Sequence, residues 1–181
     1  ASKDVGTGIG VTVTGLAITG NANYNLNSTT YSTATANITT KSLIVKGNDA
    51  NKQYSNNAST DPAFTVSYTG FVAGEGPGNL GGTLSVTRAT GETLGTYTIT
   101  PSGLTSSNYS ISFETGTFTI FPKQISLTGL GAESKPYDGN TTATIDASGA
   151  SLVGVLGGET VSLDISTATA SFLTPDVGNG K

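Results

Sequence analysis

Apolar residues in this chain come in short bursts that alternate with hydroxyl and amide residues. Between Tyr109 and Phe113 the order is Tyr, Ser, Ile, Ser, Phe. That order sends Tyr109, Ile111 and Phe113 to one side of an extended chain and Ser110 and Ser112 to the other. Phe118 and Ile120 alternate with threonines in the same way. Runs of this kind predict strands at 11–18, 34–39, 42–46, 63–68, 83–88, 96–100, 108–114 and 117–121, and then at 124–128, 141–145, 151–156 and 160–165. Helix formers are sparse and rarely recur at i, i+3, i+4. Glycine, asparagine and serine fill the intervals, and Gly6, Gly95, Gly116 and Gly139 are turn candidates. Thr115-Gly116, between two alternating runs, reads as a hairpin turn. Residues 73–82 (AGEGPGNLGG) show no period and read as a loop.

The chain also repeats itself. Lys52-Gln53-Tyr54 returns 83 residues later as Lys135-Pro136-Tyr137, and Asn23-Tyr24-Asn25-Leu26 returns after 85 as Asn108-Tyr109-Ser110-Ile111. Thr35-Ala36-Asn37-Ile38 with Lys41 returns after 82 as Thr117-Phe118-Thr119-Ile120 with Lys123. Val5-Gly6-Thr7-Gly8 matches Leu94-Gly95-Thr96-Tyr97. A longer period joins Asp4-Val5-Gly6-Thr7-Gly8 to Asp176-Val177-Gly178-Asn179-Gly180, 172 residues on. Matched elements keep their order and drift slightly, as insertions in loops would make them do. The expected organisation has three parts. Residues 1–40 are the back half of one module type, 41–122 a whole module of a second type, and 123–181 the front half of the first type again. The absence of methionine and of a visible signal peptide fits a segment of a longer, processed protein.

Composition narrows the chemistry. Of 181 residues, 8 are basic and 12 acidic, a net charge of −4, and charged residues are 11% of the chain. An average globular chain has roughly 25%. Histidine, cysteine, methionine and tryptophan are absent. There is therefore no imidazole acid–base chemistry, no cysteine or Ser-His-Asp nucleophile, no His/Cys metal site and no disulfide. Eight scattered cations argue against nucleic acid as a partner, and no apolar run is long enough for a helix to insert in a membrane. Twenty-five glycines among abundant threonine and serine point to an all-β chain with many turns. A hydroxyl-rich surface with few lysines or arginines suits an extracellular setting.

The repeated motifs resemble two families of modules from giant bacterial surface adhesins and filamentous-haemagglutinin-like secreted proteins. Residues 52–120 resemble the MBG-type (YGX) repeat. The matching stretches are Lys52-Gln53-Tyr54, Asp61-Pro62-Ala63-Phe64 through Val72, Gly91-Glu92-Thr93-Leu94-Gly95-Thr96-Tyr97 through Leu104, and Asn108 through Ile120. Ser55 departs from the family's glycine after the tyrosine. Residues 135–181 and 5–39, taken together as a split unit, resemble the YDG repeat through Lys135-Pro136-Tyr137-Asp138-Gly139-Asn140, Gly158-Glu159-Thr160-Val161, Val177-Gly178-Asn179-Gly180-Lys181 and Val11-Thr12-Val13-Thr14-Gly15-Leu16. The resemblance implies an exported, cell-surface repeat without assigned chemistry.

Sharper readings of single motifs are weaker than plain ones. Asp138-Gly139-Asn140 lacks the clustered carboxylates of a calcium loop and reads as a turn. Gly6-Thr7-Gly8-Ile9-Gly10 is followed by a strand pattern rather than a helix, so it is no phosphate loop. Tyr24, Tyr54, Tyr97, Tyr109 and Tyr137 are candidates for a sugar-binding platform, but four of them are repeat-equivalent, Tyr24 with Tyr109 and Tyr54 with Tyr137, which favours core packing. A Lys-Asn isopeptide crosslink would need a buried lysine, asparagine and carboxylate together.

The expected fold is all-β, with tandem small β-sheet or β-sandwich modules stacked end to end in an extended array. The expected role is a tension-bearing stalk of a bacterial surface adhesin or extracellular fibre. The alternatives are a glycan- or mucin-binding adhesive repeat and a self-associating filament subunit. Enzymatic activity is the least expected class, with no cofactor and no metal. Expected partners are neighbouring repeats of the same chain, then lateral copies of it, then host or prey surface glycans.

Overall fold

A computed structural model describes residues 3–180; Ala1, Ser2 and Lys181, at the ends of the first and third expected segments, lie outside it. Apart from two single-turn 3-10 segments, Ala58–Thr60 and Pro77–Asn79, its regular structure is strand. The chain opens with β1 (Gly6–Thr14) and β2 (Thr30–Ile38), an antiparallel pair forming a sheet of their own. β1 stops short of the 11–18 expectation because Gly15 takes a left-handed φ of 75°, which breaks the extended run, and it starts earlier, at Gly6. Gly6 is not in a turn but opens β1, opposite Ile38.

The central unit follows, with β3 (Lys41–Gly47), β4 (Ala50–Gln53), β5 (Val66–Thr69), β6 (Gly81–Arg88), β7 (Gly95–Thr105), β8 (Tyr109–Glu114) and β9 (Gly116–Phe121). They build a three-stranded sheet ordered β5-β3-β8 and a four-stranded sheet ordered β4-β9-β7-β6. Alternation puts Leu43 and Val45 of β3, Ile99 of β7 and Phe118 and Ile120 of β9 inside, and these form the core. Phe64 meets Phe118 edge-to-face at 5.4 Å, and Phe71 meets Tyr109 the same way at 5.4 Å.

Two long runs cross from one sheet to the other. The first enters as β3 and leaves as β4; the last enters as β8 and leaves as β9. They lie side by side and parallel, β3 against β8 and β4 against β9. This overturns the hairpin expected at Thr115-Gly116. Gly116 is the crossing point, and a Cβ there would lie 2.4 Å from the carbonyl oxygen of Gly47, the matching glycine of the first run. The glycine serves close backbone approach, since its φ is not among the positive ones. Gly95 (φ 140°) and Gly139 (φ 75°) do occupy glycine-favouring backbone.

The C-terminal segment is thinner. It holds β10 (Ser126–Thr128), β11 (Gly131–Ala132), β12 (Thr142–Ala143), β13 (Ile145–Asp146), β14 (Ser151–Val153) and β15 (Ala170–Ser171). They pair only two by two, β10 with β14, β11 with β13 and β12 with β15. The alternating run 160–165 forms no strand. Alternation alone does not make one, because a strand needs a neighbour to satisfy its backbone, and Val161 and Leu163 stay exposed.

Candidate functional site

The most developed polar constellation is a ring of four charges over the core of the central unit. Lys52 projects from β4, and Arg88, the only arginine of the chain, closes β6. Asp61 follows the 3-10 turn Ala58–Thr60, and Glu92 sits in the loop before β7. The Lys52 ammonium lies 2.6 Å from Oε2 of Glu92 and 2.6 Å from Oδ1 of Asp61, the latter a charge contact outside hydrogen-bonding angles. Arg88 Nε donates to Oδ2 of Asp61 at 2.6 Å, and its terminal nitrogen pairs with Glu92. Both cations stand over the Phe118 ring, Arg88 at 5.0 Å and Lys52 at 5.9 Å from its centroid. Arg88 also donates to the carbonyls of Ala89 (2.8 Å) and Gly91 (2.7 Å), and Lys52 to that of Asn57 (3.0 Å).

Burial alone would push Asp61, Glu92 and Lys52 toward their neutral forms. For Asp61 the desolvation is outweighed by Arg88 and Lys52, and its carboxyl stays below the usual range. For Glu92 the hydrogen bond from Lys52 leads and Arg88 adds to it, again lowering the carboxyl. Burial pulls Lys52 down, but Asp61 and Glu92 together raise it. An amine held protonated is no nucleophile, and its carboxylate neighbours are already engaged by cations. The ring therefore acts as a charge-balanced lock that pins the loops before β5 and β7 onto β4 and the end of β6. Among the described residues no three acidic side chains group to hold a metal. The sequence reading missed the ring. Its signal is four charges beside apolar bursts in a chain otherwise poor in charge.

The four repeat-equivalent tyrosines part company. Tyr109 is 5% exposed; its hydroxyl donates to Glu75 at 2.6 Å and accepts from the Val72 amide at 3.1 Å. Tyr54 is half-buried and donates to Glu159 of the C-terminal segment at 2.5 Å. Tyr24 and Tyr137 are each 69% exposed. Tyr109 stands at the end where β3 begins and Tyr54 at the end where β9 finishes, so these two tyrosines share no platform.

Each end of the central unit has a joint. At the entry, Asn108 accepts from the Val5 amide and donates to Asp4, both at 3.0 Å, beside a polar groove lined by Lys3, Glu75 and Tyr109. At the exit, Tyr54, Leu94, Ile125, Val155 and Val161 line a mostly apolar groove of about 380 Å³.

Comparison with known families places names on this architecture. The family model of the MBG domain (YGX type) matches residues 43–119, and that of the YDG domain matches 121–181. No curated protein and no solved structure matches the chain. Domains of these two kinds are repeat modules of surface and adhesin-type proteins and are typical of extracellular surface proteins. No helix among the described residues is long and apolar enough to cross a membrane. The chain thus carries an MBG domain of the YGX type followed in tandem by a YDG domain.

Proposed function

We propose that the chain is a tension-bearing segment of a bacterial surface stalk, without catalytic activity of its own. One observation carries this reading: the first and last strand runs of the MBG domain are parallel neighbours, aligned over six residue pairs between β3 and β8 and four between β4 and β9. A pull along the chain enters at Lys41 and leaves at Phe121. It slides one run along the other, so the backbone hydrogen bonds of both ladders are loaded together in shear rather than one at a time. The charge ring ties β4 to β6 and to the loops before β5 and β7, and it resists the same displacement. Single-molecule extension between residues 41 and 121 tests it. The expected result is one distinct unfolding peak, well above that seen when the same domain is pulled from residues 90 and 121. Equal forces in the two geometries overturn the reading.

A further inference from the structure

The two outer faces of the MBG domain differ in chemistry. On the three-stranded sheet Lys46 of β3 stands beside Glu114 of β8, so that face carries charge. On the four-stranded sheet Phe118 and Ile120 of β9 and Lys52 of β4 are buried on the inner side. Alternation therefore sends Thr117, Thr119 and Phe121 of β9 and Asn51 of β4 outward. Register groups them. Asn51 lies beside Thr119, and β7 adds Thr96 beside Thr119 and Thr98 beside Thr117. Asp49, just before β4, is tied into the group by the Thr117 amide, which donates to its Oδ1 at 2.7 Å. Asp49, Asn51, Thr117, Thr119 and Phe121 line one shallow depression of about 550 Å³, with no lysine or arginine among its walls. The fold does not use these groups. Among the described residues, the Asn51 carboxamide and the Thr117 and Thr119 hydroxyls have no protein partner, and Oδ2 of Asp49 is likewise unengaged. The Phe121 ring beside them is 37% exposed.

We propose that this depression on the four-stranded sheet binds a neutral saccharide. Each part of a sugar has a counterpart there. The hydroxyls of a pyranose both donate and accept, and a carboxylate oxygen, a carboxamide and two threonine hydroxyls offer them acceptors and donors in turn. The apolar C–H side of the ring has the exposed Phe121 face to lie against. Spacing agrees. Outward side chains two apart on one strand stand about 6.8 Å apart, and those on adjacent strands about 4.8 Å, so the polar groups flank a space one sugar ring wide. The charge sets the selectivity. Asp49 is the one charged group lining the depression, with no cation beside it, so a uronic or sialic carboxylate meets repulsion and a neutral sugar does not. This goes beyond the stalk reading and does not depend on it, because the site lies on the solvent side of the sheet and leaves both parallel ladders in place.

Amide NMR spectra of the full chain, titrated with sugars, test it. The neutral probes are maltotriose, cellotriose, mannotriose and N-acetylchitotriose, and the acidic probe is tri-galacturonate. At least one neutral probe is expected to give saturable shifts confined to residues 49–53, 96–98 and 117–121, with a weak Kd on the order of 1 mM, as suits a shallow site. Tri-galacturonate is expected to bind about tenfold more weakly or not at all. Asn51→Ala and Phe121→Ala should each weaken binding by about tenfold, while Ser112→Ala on the charged face should leave it unchanged. Unmoved amides of Val45 and Ile99 report an intact core in each variant. Asn51 is exposed and unpartnered, so its variant carries the test even where Phe121→Ala disturbs the strand end. The proposal is overturned by the absence of saturable shifts from all four neutral probes up to about 20 mM, well above such a Kd. Shifts centred elsewhere in the chain, binding of tri-galacturonate as tight as that of the neutral sugars, or undiminished binding in Asn51→Ala overturn it equally. The extension experiment on residues 41–121 reads the strand ladders and is unmoved by any of these outcomes.

Discussion

At the scale of single residues, the charge ring and the crossing glycine are the most exacting positions. Asp61 is held by both cations, so Asp61→Asn leaves Lys52 and Arg88 sharing Glu92 alone. Breaking a fully buried pair costs roughly 3–5 kcal/mol, and the partial solvent access of this ring places the expected loss at about 2–3 kcal/mol. A thermal melt should fall by roughly 10–20 °C for a domain of this size, and a fall of only a few degrees would show the ring to be loosely solvated. The same carboxylates set the acid limit. Asp61 and Glu92 have folded pKa values below their ordinary ones. Their contribution is therefore complete above the unfolded pKa, near pH 4, and is lost as pH falls through the folded values. Lys52 is raised, so its contribution holds up to its ordinary pKa, near 10, and is lost above it. Stability should be flat from about pH 5 to 9 and decline below about pH 4, as denaturant midpoints across pH will show; a decline beginning at pH 6 contradicts the assignment. Gly116→Ala is a steric test. Its Cβ would meet backbone atoms of Gly47 and Asn48 at 2.4, 2.8 and 3.0 Å, none of which can swing away. A loss of about 1–3 kcal/mol is expected, against little change for Gly78→Ala, where nothing lies within 4 Å.

At the scale of elements, the strands themselves were legible and their partners were not. Alternation located the cores of β3, β6, β8 and β9 because those strands bury one face, and a half-buried strand leaves a period of two in the sequence. It was silent about β4, whose Ala-Asn-Lys-Gln is largely polar and extends only because β9 lies alongside it. It also ended β7 at Thr100, one residue before Pro101. The strand runs on to Thr105 because β9 pairs with it only from Gly95 to Ile99, and at Pro101 the sole neighbour is β6, opposite Val86. The Thr115-Gly116 reading failed for a related reason. Alternation reports which face a residue takes and says nothing of distant parallel pairing. The charge ring was equally hidden, because its members come from four separate elements. The unequal support of the strands makes a measurable prediction. Amides of Val45, Ile99 and Ile120 should exchange with solvent only through global unfolding. Those of β11, β12 and β15, held in two-residue pairs with exposed or half-buried side chains, should exchange orders of magnitude faster by local opening. Uniform protection across both segments would contradict this division.

At the scale of the whole molecule, the two joints of the MBG domain differ in kind, and that difference predicts which of them gives way first. The entry joint is polar: Asn108 holds Val5 and Asp4, and the accompanying ion pair of Lys3 with Glu75 spans 3.6 Å from a largely exposed lysine. Such an exposed pair contributes roughly 0–1 kcal/mol and weakens further in salt, so Asn108 is the principal tie on the hairpin of β1 and β2. The exit joint combines the Tyr54–Glu159 hydrogen bond with apolar side chains from both segments, including Leu94, Ile125 and Val155. Apolar burial is insensitive to ionic strength on this scale. Asn108→Ala should therefore release the hairpin while leaving the exit joint and the MBG core in place. Residual dipolar couplings measured at low protein concentration would report it. In the native chain the couplings of β1 and β2 should fit the same alignment tensor as the central strands. In Asn108→Ala they should shrink several-fold, while those of β10 and β14 stay scaled with the core. Raising salt on the native chain should move β1 and β2 in the same direction by a smaller amount. If the hairpin's couplings stay locked to the core in Asn108→Ala, the entry joint is carried by something other than Asn108, and the flexible point of the array lies elsewhere.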